Sequence, residues 1–294
     1  MVPARDFGAT GLRVPLLGLG AGQIGDASVS EAEAGRLLNA ALDLGVALVD
    51  TARAYGLSEE RIGRHLAHRR GEYLLVTKVG YGVDGVADWT ASCVRRGVDE
   101  ALRRLRTEVI DVALLHSCGT AELADEGILR ALDDARREGK VRVAGYSGEN
   151  APLELALELG RFGAIECSVN LCDQRAVEGA LPVARERGLG VIAKRPIANA
   201  PWRHAERPAG QYVEEYWVRW KAMGIDPAGL PWDELALRFS AYQPGVCSCI
   251  VGTARLEHLR RNAEMVARGP LPTDLAQAIR AAFRAHDQGW TGQV

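Results

Sequence analysis

The sequence predicts an α/β chain folded as a (β/α)8 TIM barrel, and three observations predict it. Short runs rich in Val, Leu and Ile recur eight times along the chain, amphipathic helical stretches alternate with them, and titratable residues close several of the runs. The runs read as strands are VPLLGLG (14–20), VALVD (46–50), YLLVTK (73–78), DVALLH (111–116), VRVAGYS (141–147), AIECSVN (164–170), GVIAKRP (190–196) and CSCIVG (247–252). They are apolar on both faces, as parallel strands covered by helices should be. A short opening stretch, 4–14, has the length of an N-terminal hairpin. Eight βα units over residues 1–294, with no second domain, point to one closed barrel.

The intervening helices have identifiable starts and stops. Ser30 with Glu33 fits a capping box opening EAEAGRLLNAALDLG. Ser58, followed by Glu59 and Glu60, reads as the start of EERIGRHLAHRR, with acids in the first turn and bases in the last. Pro152 stands near a first helical position, and Gly160 ends that helix. Similar stretches cover 91–106, 122–138, 174–187, 232–242 and 255–267, with a last helix at 273–287.

The chain has 294 residues, 47% of them hydrophobic and 25% charged, a balance able to bury a sizeable core. A net charge of −2 without clustered Lys and Arg gives no reason to expect nucleic acid. The opening MVPARDFGAT is not a basic stretch followed by an apolar one, so no secretory signal is read there. No apolar run approaches the ~20 residues of a membrane helix, so no membrane partner is expected and a cytoplasmic protein is. Cys93, Cys118, Cys167, Cys172, Cys247 and Cys249 are scattered and lack paired zinc-finger spacing, so they read as reduced apolar residues and no metal is expected.

Gly20, Gly22 and Gly25 form G-x-G-x-x-G directly after a strand, the pattern of a dinucleotide-binding turn. In that motif the helix begins within the glycine turn, so that its N-terminus meets the pyrophosphate. Here Asp26 to Ser30 intervene before the helix signal. Asp50 also falls later than the ~20-residue interval of the ribose-binding acid. The Rossmann reading is therefore set aside.

Four polar residues carry the chemistry. Asp50 closes ALVD, Tyr55 follows five residues on, Lys78 closes LLVTK and His116 closes DVALLH. A titratable group at the C-terminal edge of a barrel strand points into the mouth where loops gather, and there it reads as catalytic. Hydride reduction of a carbonyl needs a proton for the oxygen. A tyrosine with its pKa near ~10 is a sluggish acid, which an adjacent ammonium improves by ~1–3 units. Tyr55 is thus the expected general acid and Lys78 its activator. Asp50 is expected to hold Lys78, and His116 to align the carbonyl oxygen.

With DTARAYGLSEERIG (50–63), LLVTK, LRRLRTEVIDVALLH (102–116) and VAGYS (143–147) in this order, the chain resembles the aldo-keto reductase family across essentially its whole length. The resemblance implies a barrel binding NADPH in an extended conformation, with the tetrad on Asp50, Tyr55, Lys78 and His116. It places Gly20 near the nicotinamide ribose and Ser147 on the carboxamide, without the usual Asn neighbour. Glu166 stands where the family usually has Gln or Asn, so its carboxylate accepts from the carboxamide but cannot donate. Lys194, Arg195 and Pro196 resemble the segment meeting nicotinamide and pyrophosphate, with basic residues replacing the commoner aromatic and serine. IVGTARLEHLRRN (250–262) is similar to the adenosine-phosphate motif. There Gly252 and Thr253 precede a helix N-terminus suited to phosphate, and Arg255 is chosen for the 2′-phosphate, with His258 and Asn262 on the adenine side.

The long connection 197–231 reads as a lid, with Trp202 and Trp217 over the hydride site and Trp89 reaching in from the third strand. The equal alternative is that YVEEYWVRW forms an amphipathic helix whose aromatics pack on the barrel. The expected partner is a small-molecule carbonyl substrate, and the oligomeric state is left open. Two rivals stand beside carbonyl reduction: a Schiff-base aldolase using Lys78 or Lys194, and a regulatory subunit that holds NADPH and turns over slowly.

Overall fold

The computed structural model describes residues 2–294. Strands β1 (Ala4–Asp6) and β2 (Arg13–Pro15) form the opening hairpin, antiparallel with Arg5 opposite Val14. The turn between them lowers Phe7, fully buried, onto Gly190, where a Cβ would stand 2.5 Å from the ring. The Ala9 amide donates to the Gly188 carbonyl at 2.7 Å. Because Gly190 begins a barrel strand, the hairpin seals the N-terminal end of the barrel and leaves the other end open.

The predicted first strand, 14–20, is therefore two pieces. Its start belongs to β2, and the barrel begins at β3 (Leu17–Gly20). Then follow α1 (Glu31–Asp43), β4 (Leu48–Asp50), α2 (Ser58–Leu66), β5 (Leu74–Val79), α3 (Ala91–Leu105), β6 (Ile110–His116), α4 (Thr120–Leu123) and α5 (Glu126–Arg137). Next come β7 (Val141–Ser147), α6 (Asn150–Leu159), β8 (Ala164–Ser168), α7 (Arg175–Glu178), α8 (Ala180–Glu186) and β9 (Gly190–Lys194). The chain ends with α9 (Glu214–Met223), α10 (Trp232–Ala241), β10 (Ser248–Gly252), α11 (Leu256–Ala267) and α12 (Thr273–His286). Strands β3 to β10 run parallel in sequence order and close through β10 against β3, with Gly252 opposite Gly20. This is the (β/α)8 barrel that the alternation of runs predicts.

The capping box of α1 forms as expected: the Ser30 amide donates to Glu33 Oε2 at 3.0 Å and the Glu33 amide to Ser30 Oγ at 3.3 Å. Such a cap stabilises a helix by about 1 kcal/mol. Gly160 ends α6 at φ 62°, a backbone conformation that suits glycine. Ser58 is the first residue of α2, as expected, with Glu59 and Glu60 in the first turn, and the helix ends short of the expected stretch, at Leu66. The buried Ser58 hydroxyl accepts from Thr51 Oγ1 and donates to the Ala21 carbonyl, both at 2.8 Å, tying together the loops that follow β3 and β4. The stretch 122–138 breaks because Asp125 caps a new helix, accepting from the Gly127 amide at 2.7 Å. The stretch 174–187 breaks at Gly179, whose φ −99° and ψ −83° are not helical.

The main core lies between the barrel and its helices, and a second apolar cluster joins Tyr216 of α9, Leu235 and Phe239 of α10, and Ile279 and Phe283 of α12. No helix among the described residues is long and apolar enough to cross a membrane.

Candidate active site

The open end of the barrel collects the four candidates. Asp50 is the last residue of β4, Lys78 lies near the end of β5 and His116 ends β6. Tyr55 sits on the loop after β4, and glycines fix that loop in place. A Cβ on Gly25 would collide with the Tyr55 carbonyl, and Leu57 donates to the Gly25 carbonyl at 3.0 Å. The glycine pattern set aside as a nucleotide turn thus serves a close backbone approach that seats the tyrosine loop. Lys78 Nζ donates to both Asp50 oxygens at 2.7 Å and to the Thr51 carbonyl at 3.1 Å, and lies 5.2 Å from the Tyr55 ring centroid. The His116 ring meets Tyr55 edge-on at 5.9 Å.

Burial sets the charges here. The Lys78 ammonium, which burial alone would destabilise, is held above its usual range by Asp50 and Glu166. Two carboxylates face this one ammonium, Glu166 Oε1 at 3.5 Å from Nζ. Burial and Glu166 push Asp50 up, whereas Lys78 and Lys194 overcome burial at Glu166 and hold it down. His116 is driven down to about 3 by burial and by Lys78, so its ring is neutral. At Tyr55 the expectation of a lowered phenol is corrected. Lys78 does pull it down, but burial, Asp50, Glu166 and Tyr81 together push it up to about 12. The carboxylates that keep Lys78 charged also screen it from the phenol.

A cavity of 590 Å³ opens over this floor. Asp50, Tyr55 and His116 line it together with Gly20, Ser147, Glu166, Lys194, Arg195, Pro196 and Gly252, while Lys78 lies outside the lining at 1% exposure. Ser147 Oγ donates to Glu166 Oε1 at 3.0 Å. Glu149 takes Lys194 at 3.3 Å and faces Arg195 at 3.6 Å. Arg195 also donates to Ser168 Oγ at 2.8 Å and to the Gln293 carbonyl at 2.6 Å. Thr253, Arg255, His258 and Asn262 are outside the cavity lining, around the start of α11 and along it. Thr253 Oγ1 accepts from the Arg255 amide at 3.0 Å. The exposed Arg255 guanidinium has no ion pair or side-chain hydrogen bond among the described residues.

The residues suit a nicotinamide nucleotide on one observation in particular. Two buried polar atoms of this cavity's side chains, Glu166 Oε2 and Asn199 Nδ2, have no partner in the protein, one an acceptor and one a donor. Buried polar groups are rarely left unpaired, and a carboxamide and a phosphate would satisfy these two. Asn199 also sits in a segment held at positive φ, with Arg195 at 53°, Ala198 at 47°, Asn199 at 57° and Ala200 at 55°. Such strain collects at ligand clamps.

The three tryptophans named for the substrate lie outside this cavity's lining. Trp89 packs on Tyr81 with ring centroids 5.6 Å apart. Trp202 stacks on Trp232 at 5.7 Å and donates to Asp233 Oδ1, and Trp217 donates to the His204 carbonyl at 2.9 Å. The packing alternative describes α9, since Tyr216 and Trp220 join the second apolar cluster. From 197–231 the cavity instead takes Ile197, Asn199, Ala200, Arg203 and Tyr212. Sequence reasoning also missed Tyr81, Glu149 and the tail. Tyr81 Oη lies 3.0 Å from His116 Nδ1, and Val294 lines the cavity after Asn150 exchanges two hydrogen bonds with Gly292 at 2.7 and 3.0 Å. The only available signal was Tyr81 standing three residues beyond Lys78.

A titratable tetrad at the C-terminal mouth of a parallel barrel, beside a groove with unpaired polar atoms, has the layout of a barrel enzyme's active site. Residues 16–284 match the family model described as the Aldo/keto reductase family, and the chain belongs to that family. It is 28% identical to an uncharacterised oxidoreductase (YqkF) of Bacillus subtilis, covering 96% of this chain and 98% of the relative. It is 27% identical to L-galactose dehydrogenase of Arabidopsis thaliana, covering 90% and 88%. The holo form of aldo-keto reductase AKR11C1 from Bacillus halodurans superposes with a TM-score of 0.82 at 27% identity, covering 96% of each chain. Aldo-keto reductases use nicotinamide cofactors.

Proposed function

We propose that the protein is a cytoplasmic NADPH-dependent carbonyl reductase that converts an aldehyde or ketone to an alcohol, with Tyr55 as general acid. The observation that carries this reading is that Tyr55 and His116 line the same cavity as Glu166 and Asn199, whose polar atoms lack partners. When bound, the nicotinamide supplies the hydride that goes to the carbonyl carbon. His116, neutral at working pH, donates a ring N–H to the carbonyl oxygen and aligns it. Tyr55, at about 12, carries its proton throughout the neutral range. An alkoxide is a stronger base than a phenolate, so the proton moves to the substrate oxygen as charge builds there. Lys78, kept charged by Asp50, stabilises the phenolate that remains.

Ser147 and Glu166 would hold the carboxamide, with Gly20 near the ribose, and Lys194, Arg195 and Pro196 the segment between nicotinamide and pyrophosphate. The preference for NADPH over NADH rests on Arg255, whose free guanidinium beside the helix start can grip a 2′-phosphate with two hydrogen bonds. Gly252 and Thr253 approach the same phosphate, and His258 and Asn262 the adenine. Six free, buried cysteines suit a reducing compartment. A Schiff-base aldolase is less well supported, because an imine needs a neutral amine while Asp50 holds Lys78 charged and Lys194 pairs with Glu149.

The test is a screen of NADPH and NADH oxidation over aldehydes, ketones and sugars, run on wild type and Tyr55→Phe. Tyr55→Phe should lose activity by about a hundredfold or more, the usual scale of general acid catalysis, with nucleotide affinity nearly unchanged. Full activity in that variant would refute the acid assignment.

A further inference from the structure

Three carboxylates, Asp50, Glu149 and Glu166, meet three cations, Lys78, Lys194 and Arg195, at the floor of the cavity, and the pairing among them is uneven. Lys78 is gripped by both Asp50 oxygens at 2.7 Å, and Lys194 lies 3.3 Å from Glu149, which also faces Arg195. Glu166 is the least closely paired of the three acids. Its Oε1 accepts from Ser147 at 3.0 Å and stands 3.5 Å from the already occupied Lys78, while Oε2 is buried without a partner. The residue is 1% exposed, so water does not solvate this charge. Lys78, Lys194 and a hydrogen bond with the Asp50 carboxyl hold the charge in place, and the unpaired oxygen is open to a donor or a positive charge from whatever fills the cavity.

A nicotinamide ring is neutral when reduced and carries one positive charge when oxidised, and its carboxamide offers N–H groups in both states. The hydrogen bond therefore treats the two states alike, and only charge separates them. We propose that Glu166 discriminates the redox state of the cofactor, binding the oxidised nicotinamide more tightly than the reduced one. The proposal rests on the reading of this cavity as a nicotinamide nucleotide site and assigns its redox bias to one side chain. Buried away from water, the attraction is screened less than it would be at the surface. Lys78 and Lys194 keep Glu166 ionised despite its burial, so the charge is present at working pH. The consequence is a bound couple that gives up hydride more readily than the free nucleotide does.

Glutamine has nearly the same shape and retains one acceptor oxygen, so Glu166→Gln removes the charge and exchanges one acceptor for a donor, a change that the carboxamide meets alike in both redox states. Dissociation constants for NADP+ and NADPH, measured without substrate by calorimetry, read the effect directly. Wild type should favour NADP+, and Glu166→Gln should weaken NADP+ by about tenfold or more while NADPH shifts by less than about threefold, the scale expected on removing a neighbouring opposite charge. A tenfold change in that ratio corresponds to about 30 mV in the potential of the bound two-electron couple. A wild type that binds both forms equally, or prefers NADPH, overturns the proposal without any variant. An unchanged ratio in Glu166→Gln overturns it as well. If wild type binds neither nucleotide, the reading of the cavity fails, and this inference fails with it.

Discussion

At His116 a single hydrogen bond governs what the ring can donate. The ring is neutral, with its pKa driven down to about 3 by burial and Lys78, so only one of its nitrogens carries a proton. Tyr81 Oη lies 3.0 Å from Nδ1, and the two rings stack with centroids 5.4 Å apart. A phenol donating to Nδ1 leaves the proton on Nε2, free for a carbonyl oxygen. Tyr81→Phe should therefore lower kcat by about tenfold or more with a smaller change in KM, and nitrogen NMR should show the His116 tautomer redistributed. An unchanged kcat and an unchanged tautomer would remove Tyr81 from the orienting role. This pairing was invisible in the sequence, because a tyrosine three residues past a strand-end lysine has no period or motif that aims it at a histidine on the next strand.

At the level of elements, the tail after α12 is fastened across the mouth by side chains of several others. Arg219 of α9 donates to the Thr291 carbonyl at 2.8 Å, Asn150 of α6 holds Gly292, and Arg195 after β9 holds Gln293. Asp173, on the loop after β8, lies beneath this strap and accepts from Tyr216 Oη at 3.3 Å. Burial, then Glu149, pushes its carboxyl up to about 6, against the ordinary 3.8. The folded state thus binds this proton more tightly than the unfolded chain does. The stabilisation is complete below 3.8 and is lost as pH rises through about 6. His116 acts in the opposite sense, losing stability as pH falls from its usual 6.5 toward about 3. Comparison with Asp173→Asn isolates the first effect. Wild type should gain global stability relative to the variant as pH is lowered through 6, read by denaturant unfolding of the two proteins across that range. Parallel behaviour in the two proteins would place the Asp173 proton elsewhere.

For the whole molecule, the hairpin and the mouth divide the labour of the two barrel ends. Phe7 is fully buried against Gly190 at the closed end, remote in function from the tetrad. Phe7→Ala should destabilise the fold by about 3–5 kcal/mol, the usual cost of emptying a large aromatic site. Thermal unfolding should record the loss, while the kcat of the surviving folded enzyme stays near wild type. A large fall in kcat at full folding would show that the closed end is coupled to the mouth.

The alternation of apolar runs and amphipathic helices by itself determined the barrel, and the polar residues at the ends of those runs determined which side chains meet at its open mouth. Both are local patterns: strand polarity puts Asp50, Lys78 and His116 at one end whatever the packing. Helix breaks at Asp125 and Gly179 were hidden because periodicity continues across a cap or a kink. The tryptophans of 202–217 were ambiguous because aromatic content is the same for a lid and for a packed helix. Only the tertiary structure decided between those, brought Tyr81 to His116, laid Val294 at the cavity and set Glu166 opposite Asp50 on Lys78. It also reversed the expected pKa of Tyr55, because burial and the sum of surrounding charges depend on distances in space that spacing along a chain does not encode.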